Sequence, residues 1–413
     1  MKTSKKLSCV SVANNYLILS FLITLAASFS FATYIPFLVN RAMNLWQINV
    51  INSFFMGTII LMELPTGSFA DKFGRHRSVT LSCFLMVIGL LVYFLSENFW
   101  IFIAAEVIIG LAKTFASGAL EAWLVDSLNA QGLGHLKEKL FRQEAYWSSM
   151  GIILGCLIGS YVGNSNLAWP WLMGAIISLI IGLYSLTLKE PYHNPETKRV
   201  RESLVKQIKI ACGHGFNNRN LVSFMILSAV LAISVQALNM QWTVVFQNEY
   251  GMEVKYLGWI FSAIALTASL GGHLSKYSRR LFKDENKSLA FTQVITALMI
   301  IILTQISGLV TTLSFFLLHE LGRGAFKPLK QSFFNNHLVS ETRATVLSLD
   351  SMITKIGSLI GLLLSGFIAN TYSIKIAWLA SGLFLLGASL YFFLPKKTTE
   401  TETCAEMEIS ETN

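Results

Sequence analysis

The chain has 413 residues, of which 53% are hydrophobic and only 13% are charged, and its mean hydropathy is +0.55. A water-soluble protein of this length needs far more charged surface, so a soluble enzyme or a string of soluble domains is excluded. The formal net charge of +9 would suit a nucleic-acid binder, but the basic residues cluster in the gaps between apolar runs, where they set orientation in a membrane instead.

A helix needs roughly 20 apolar residues to cross a bilayer core. Twelve such stretches follow one another at about 12–39, 46–69, 78–95, 99–128, 142–163, 168–188, 221–246, 254–275, 288–307, 311–336, 344–369 and 374–394. They are called spans 1 to 12 below. Lys2, Lys5 and Lys6 precede the first run in the manner of a secretory signal, but the run continues past Pro36. That is too long for a signal core, so it is read as a retained span. Cys9, Cys83, Cys156, Cys212 and Cys404 have no metal or redox spacing and are read as small apolar residues or surface thiols.

With the N-terminus in the cytoplasm, 24 Lys and Arg residues fall in inside segments, whereas only Arg41, Lys255 and Lys375 fall outside. This asymmetry predicts an even number of spans with both termini cytoplasmic. The one long hydrophilic interior stretch, 189–220, carries Val200, Leu204 and Ile208 at helical spacing among basic residues, as a helix lying on the membrane surface would. The expected layout is a six-helix bundle over 1–188, a cytoplasmic linker over 189–220, a second bundle over 221–395 and a disordered tail over 396–413.

The halves repeat. Gly67 to Arg75 is echoed by Gly271 to Arg279, with Ser275 standing where the first copy has Asp71. Span 4 aligns without gaps on span 10, pairing Lys113 with Arg323. In span 5 Glu144 precedes Gly151, Gly155 and Gly159, as Asp350 in span 11 precedes Gly357, Gly361 and Ser365. Parallel repeats of this kind place a solute site between the halves.

After span 2, Glu63-Leu-Pro65-Thr-Gly67-Ser-Phe-Ala-Asp71-Lys-Phe-Gly74-Arg75-His-Arg77 resembles the G-x-x-x-D-x-x-G-R-[KR]-x-[RK] signature of the major facilitator superfamily, with His76 departing from it. The resemblance covers essentially the whole chain. It implies an all-α membrane protein with twelve transmembrane helices in two pseudo-symmetric six-helix bundles. It also implies a cytoplasmic gate in which Gly67 and Gly74 allow close approach and a tight turn, Asp71 meets the start of span 11, and Arg75, with Arg77 nearby, meets Asp126. In span 5 the sequence is similar to the glycine motif of drug:proton antiporters, but Cys156 replaces its Pro and Ser160 its last Gly. Where many members carry an Arg before the span 4 glycine Gly110, this chain has Glu106, so that role does not transfer.

An ionised group at the bilayer centre costs about 2.5–3.5 kcal/mol on insertion scales, so it faces a cavity or a partner. Span 4 carries Glu106, Lys113, Glu121 and Asp126; span 10 carries Glu320, Arg323, Lys327 and Lys330, with a kink expected at Pro328; span 11 carries Asp350 and Lys355. The resemblance implies that spans 1, 4, 7 and 10 line the cavity. Lys113 and Arg323 would then face each other and bridge a carboxylate- or phosphate-bearing solute. The alternative is internal neutralisation, Glu320 with Arg323 and Glu106 with Lys113. Glu106 and Glu320 are the candidate protonatable groups, and Tyr34, Phe31, Gln236, Asn239 and Trp242 are further candidates for the wall. Glu144, Asp350 and Arg343 are read as helix-end and gate residues.

No H-E-x-x-H, nucleophile arrangement or nucleotide-binding loop is present, so neither an enzyme nor a primary pump is expected, and no cofactor or metal. The leading expectation is a monomeric, proton-coupled exporter of a small organic solute in a bacterial-type cytoplasmic membrane. Its partners would be that solute, protons and membrane lipids. An importer of an amino acid, sugar or organic anion shares the same scaffold, and a transporter-like sensor is the reading from another class.

Overall fold

The computed structural model describes residues 2–188, 219–282, 284–337 and 340–391, and within these leaves out the side chains of 2–11, 219–220, 335, 337 and 340–345. The linker 189–218, the amphipathic pattern at Val200, Leu204 and Ile208, and the tail 396–413 lie outside the described residues. Among the described residues there are helices and no strands. Span 1 is α1 (Lys2–Ser28) followed by α2 (Tyr34–Asn40), span 2 is α3 (Leu45–Phe73) and span 3 is α4 (Arg75–Leu95). Span 4 is α5 (Phe99–Ala116) with α6 (Ala119–Ala130), span 5 is α7 (Lys137–Ser165) and span 6 is α8 (Trp169–Ser185). Spans 7 to 12 are α9 (Arg219–Asn248), α10 (Val254–Leu281), α11 (Glu285–Leu303), α12 (Leu309–His337), α13 (Ser340–Thr371) and α14 (Ile374–Tyr391).

The starts of several spans are legible as caps. Asn44 accepts from the Gln47 amide at 2.8 Å while Gln47 accepts from the Asn44 amide at 3.0 Å, a reciprocal box that opens span 2. Asn98 and Asp284 cap spans 4 and 9 in the same sense. Nine described helices are long and apolar enough to cross a membrane, and Val12–Ser28 and Trp169–Ser185 are shorter apolar helices. The remaining one, α12, is too polar to qualify by composition, because His319, Glu320, Arg323, Lys327 and Lys330 share it. The helix continues through Pro328.

Packing repeats with a shift of six spans. Span 1 packs on 5 as 7 does on 11, span 2 on 4 as 8 on 10, span 3 on 6 as 9 on 12. Two seams join the halves, span 5 against 8 and span 2 against 11, and these are also equivalent under the repeat. The glycines of spans 5 and 11 explain the first pairing. A Cβ on Gly159 would collide with the Phe29 carbonyl of span 1, and one on Gly361 with the Ile233 carbonyl of span 7. Only a residue without a side chain lets the two backbones come this close. Forcing extra atoms into such a contact costs about 1–3 kcal/mol or more. Gly159→Val is therefore expected to lower the yield of folded protein sharply in size-exclusion profiles. Gly387→Val, where a Cβ meets nothing within 4 Å, should leave it unchanged.

The outward surface carries Leu61, Leu95, Trp100, Leu183, Leu266 and Leu270, all exposed, as a lipid-facing surface does.

Candidate functional site

Two spans are broken at mid-course, and the breaks position the site. Span 1 leaves the helix after Ser28 and turns through Phe29–Thr33, held by the Phe31 amide on the Ser28 carbonyl at 3.3 Å and the Thr33 amide on the Ser30 carbonyl at 3.1 Å. Span 4 breaks at Ser117 and Gly118, where Gly118 takes a left-handed φ of 72°. Ser82 and Ser78 of span 3 donate to the Ala112 and Phe115 carbonyls at 2.6 and 2.7 Å, which fixes the lower part of α5 before the break. Irregular backbone at this depth is tolerated where it is buried in protein or lines a cavity.

A cavity of about 290 Å³ lies beside the span 1 break. Its wall comes mainly from the first half: Ser30, Phe31, Tyr34, Asn52, Phe55, Met86, Leu90, Glu106, Ile109, Lys113 and Trp171. The second half adds Asn239, Met240, Trp242, Thr243 and Phe261. Glu106 is 4% exposed, and its Oε1 accepts the Tyr34 hydroxyl at 2.8 Å and the Tyr93 hydroxyl at 2.6 Å. Tyr93 stacks on Trp171 with ring centroids 4.0 Å apart and planes 6° from parallel, and Tyr34 stands 6.0 Å from the same indole. Two tyrosine donors on one carboxyl oxygen satisfy that oxygen without a cation. Lys113 lines the same cavity, is exposed to it, and has no hydrogen bond or ion pair with any described residue. The anticipated Glu106–Lys113 pair is not formed, because the tyrosines reach the carboxyl first.

The equivalent place in the second half is filled and neutralised. Glu320, 2% exposed, accepts from Arg323 Nε and Nη2 at 2.7 Å each, and His319 Nε2 lies 3.2 Å from its other oxygen. Arg323 Nη1 continues to Asn239 Oδ1 at 3.2 Å. The expectation of two free cations facing a solute is thus corrected. Arg323 is held by Glu320 and Asn239, and of the two only Lys113 is left unpaired among the described residues.

At the end bearing the span 2–3 turn, Arg75 lies 3.1 Å from Asp126 and 3.6 Å from Asp71. Gly74 turns the chain between spans 2 and 3 with a φ of 105°. Gly67 is half-buried and Arg77 exposed. Whether Asp71 meets the first turn of span 11 lies outside the described side chains, as does Arg343. Glu63 of span 2 pairs with Lys355 of span 11 across the halves, and Lys330 pairs with Asp350 at 2.7 Å within the second half. Ser148 donates to Glu144 at 2.6 Å. At the opposite end Asn164 of the first half bonds the Lys255 amide at 3.2 Å and lies 3.5 Å from Glu253. The hydrogen bond from Lys255 holds the exposed Glu253 carboxyl below its ordinary value.

Of the residues singled out from sequence, Tyr34, Glu106, Lys113, Asn239 and Trp242 share the cavity, whereas Gln236 is half-buried outside its lining and Glu320 and Arg323 stand behind Asn239. Sequence reading missed Tyr93, Trp171, Asn52 and Thr243. Tyr93 and Trp171 sit in apolar runs where an aromatic facing lipid looks the same.

The family model for the Major Facilitator Superfamily matches residues 16–318 and 284–408. The uncharacterized MFS-type transporter YxaM of Bacillus subtilis (strain 168) is 21% identical over 92% of this chain and 94% of its own. The quinolone resistance protein NorA of Staphylococcus aureus (strain MSSA476) is 19% identical over 78% of this chain and 80% of its own. Among solved structures, the nucleoside transporter NupG superposes with a TM-score of 0.78 at 17% identity, over 92% of this chain and 98% of that one.

Proposed function

Since the chain belongs to the Major Facilitator Superfamily, we propose that it is a secondary active transporter that carries a small organic solute through the cavity between its halves by alternating access, with proton-coupled export as the direction. The observation that carries this reading is the mid-depth cavity flanked by two equivalent seams, span 5 on 8 and span 2 on 11. Each seam has its own polar clasp, Asn164 with Lys255 at one end and Glu63 with Lys355 at the other. Two clasps at opposite ends suit a molecule that opens one end while the other is closed. The glycine stripe of span 5 and the likeness to a quinolone resistance protein support export. The basic residues at the span 2–3 turn support placing that end in the cytoplasm.

The test is accessibility. In a background without native cysteines, Asn239→Cys is expected to react with a membrane-impermeant maleimide from either face in turn. Reaction from one face only, at all times and at any pH gradient, would remove alternating access. Everted vesicles with an imposed acid-inside proton gradient then decide direction: uptake of solute into them as protons leave supports export, and loss of preloaded solute along with the protons supports import.

A further inference from the structure

Among the described residues of the cavity wall, most of the groups left without a partner can donate a hydrogen bond, with Glu106 Oε2 the carboxyl oxygen left open. Lys113 has no partner, and an ammonium only donates. Trp171 Nε1 is buried with no partner, and an indole N–H only donates. The comparison with the second half is direct. Trp378, near the start of span 12 as Trp171 is near the start of span 6, donates its Nε1 to the Ala237 carbonyl at 3.2 Å. Asn239 has its carbonyl oxygen taken by Arg323, which leaves its amide hydrogens for the cavity. The Thr243 hydroxyl, buried and also without a partner, can donate or accept. Glu106, the acidic acceptor in the wall, has Oε1 covered by Tyr34 and Tyr93 and Oε2 without a partner among the described residues.

Resting on the transport reading above, we propose that the carried solute is a small aromatic anion, a flat ring of one or two fused cycles bearing a carboxylate or a group like it. The anion meets Lys113, the unpaired cation exposed in the wall. The ring lies along the wall made by Phe31, Tyr34, Trp242 and Phe261, whose faces offer stacking without hydrogen-bond demands. Size points the same way. About 290 Å³ is just under the usual span of ligand cavities, about 300 to 1,000 Å³, and suits a solute of one or two fused rings in this arrangement. An amine-bearing solute brings a positive charge to Lys113.

Three probes share one ring and differ in charge: indole-3-acetate, indole-3-acetamide and tryptamine. Binding to the purified full-length protein in nanodiscs is expected to favour indole-3-acetate by at least about tenfold over the other two. Lys113→Met should bring acetate and acetamide together, and Lys113→Arg should keep the preference. Tighter or equal binding of tryptamine or the acetamide, a preference that survives Lys113→Met, or no binding of any probe to folded protein would overturn the solute class. Alternating labelling of Asn239→Cys in the face of such a result would leave transport standing. Selective anion binding without alternating labelling would do the reverse.

Discussion

Glu320→Gln is expected to be the most destabilising conservative change in the second half. The carboxyl is 2% exposed and receives two hydrogen bonds from Arg323, with His319 on its other side. Replacing it by an amide of the same shape leaves the guanidinium without a counter-charge in a place water reaches poorly. Removing one partner of a buried pair costs about 3–5 kcal/mol, and the partial exposure of Arg323 favours the lower figure. The loss is read as a lower midpoint in detergent or thermal unfolding of the purified protein. The second-site control discriminates pair from packing: Glu320→Leu with Arg323→Leu together should recover most of the stability, because no charge is then stranded. A double variant as unstable as the sum of the two singles would mean that the ion pair is not what holds this region.

Arg75→Ala is expected to do the opposite, leaving stability alone and changing which end is open. Its partners Asp71 and Asp126 are partly exposed, and pairs of that kind contribute only about 0–1 kcal/mol to folding. The gate role proposed for them is a preference between two arrangements of the halves, and about 1.4 kcal/mol of preference is a tenfold population change. With the arginine gone, maleimide labelling of Asn239→Cys from the cytoplasmic face is expected to rise roughly tenfold relative to the outer face. The unfolding midpoint should stay within about a degree of the parent. An unchanged labelling ratio would remove the gate role from this cluster, and a collapsed midpoint would make Arg75 a structural residue.

The helical layout could be read from the chain because membrane crossing imposes a length and a composition on each span. Span 10 is instructive, since its charges keep it out of the helices apolar enough to qualify by composition, and the gapless alignment with span 4 supports its place among the twelve stretches. The breaks in spans 1 and 4 were only weakly legible. Phe29–Thr33 and Ser117 sit inside apolar runs with Pro36 and Gly118 as the local marks, and tertiary contacts accompany the breaks: Gly155 and Gly159 against span 1, and Ser78 and Ser82 bonding span 4 carbonyls. The Glu320–Arg323 pair was visible as a spacing of three on one helix. The partners of Glu106 were not, because Tyr34 is 72 residues away and arrives only through the span 1 break. Lys113 was visible as a charge in a span, but its lack of a partner is a property of the assembled wall.

The uneven authorship of the cavity wall has an evolutionary reading. Most of the lining, together with the unpaired lysine and indole, comes from the first 171 residues, while the second half contributes one flank. Under the proposed transport function, the first bundle acts as a cradle and the second as a shutter. Mutations selected for a new cargo should accumulate before the linker, and those selected for speed or for resistance to heat should accumulate after it.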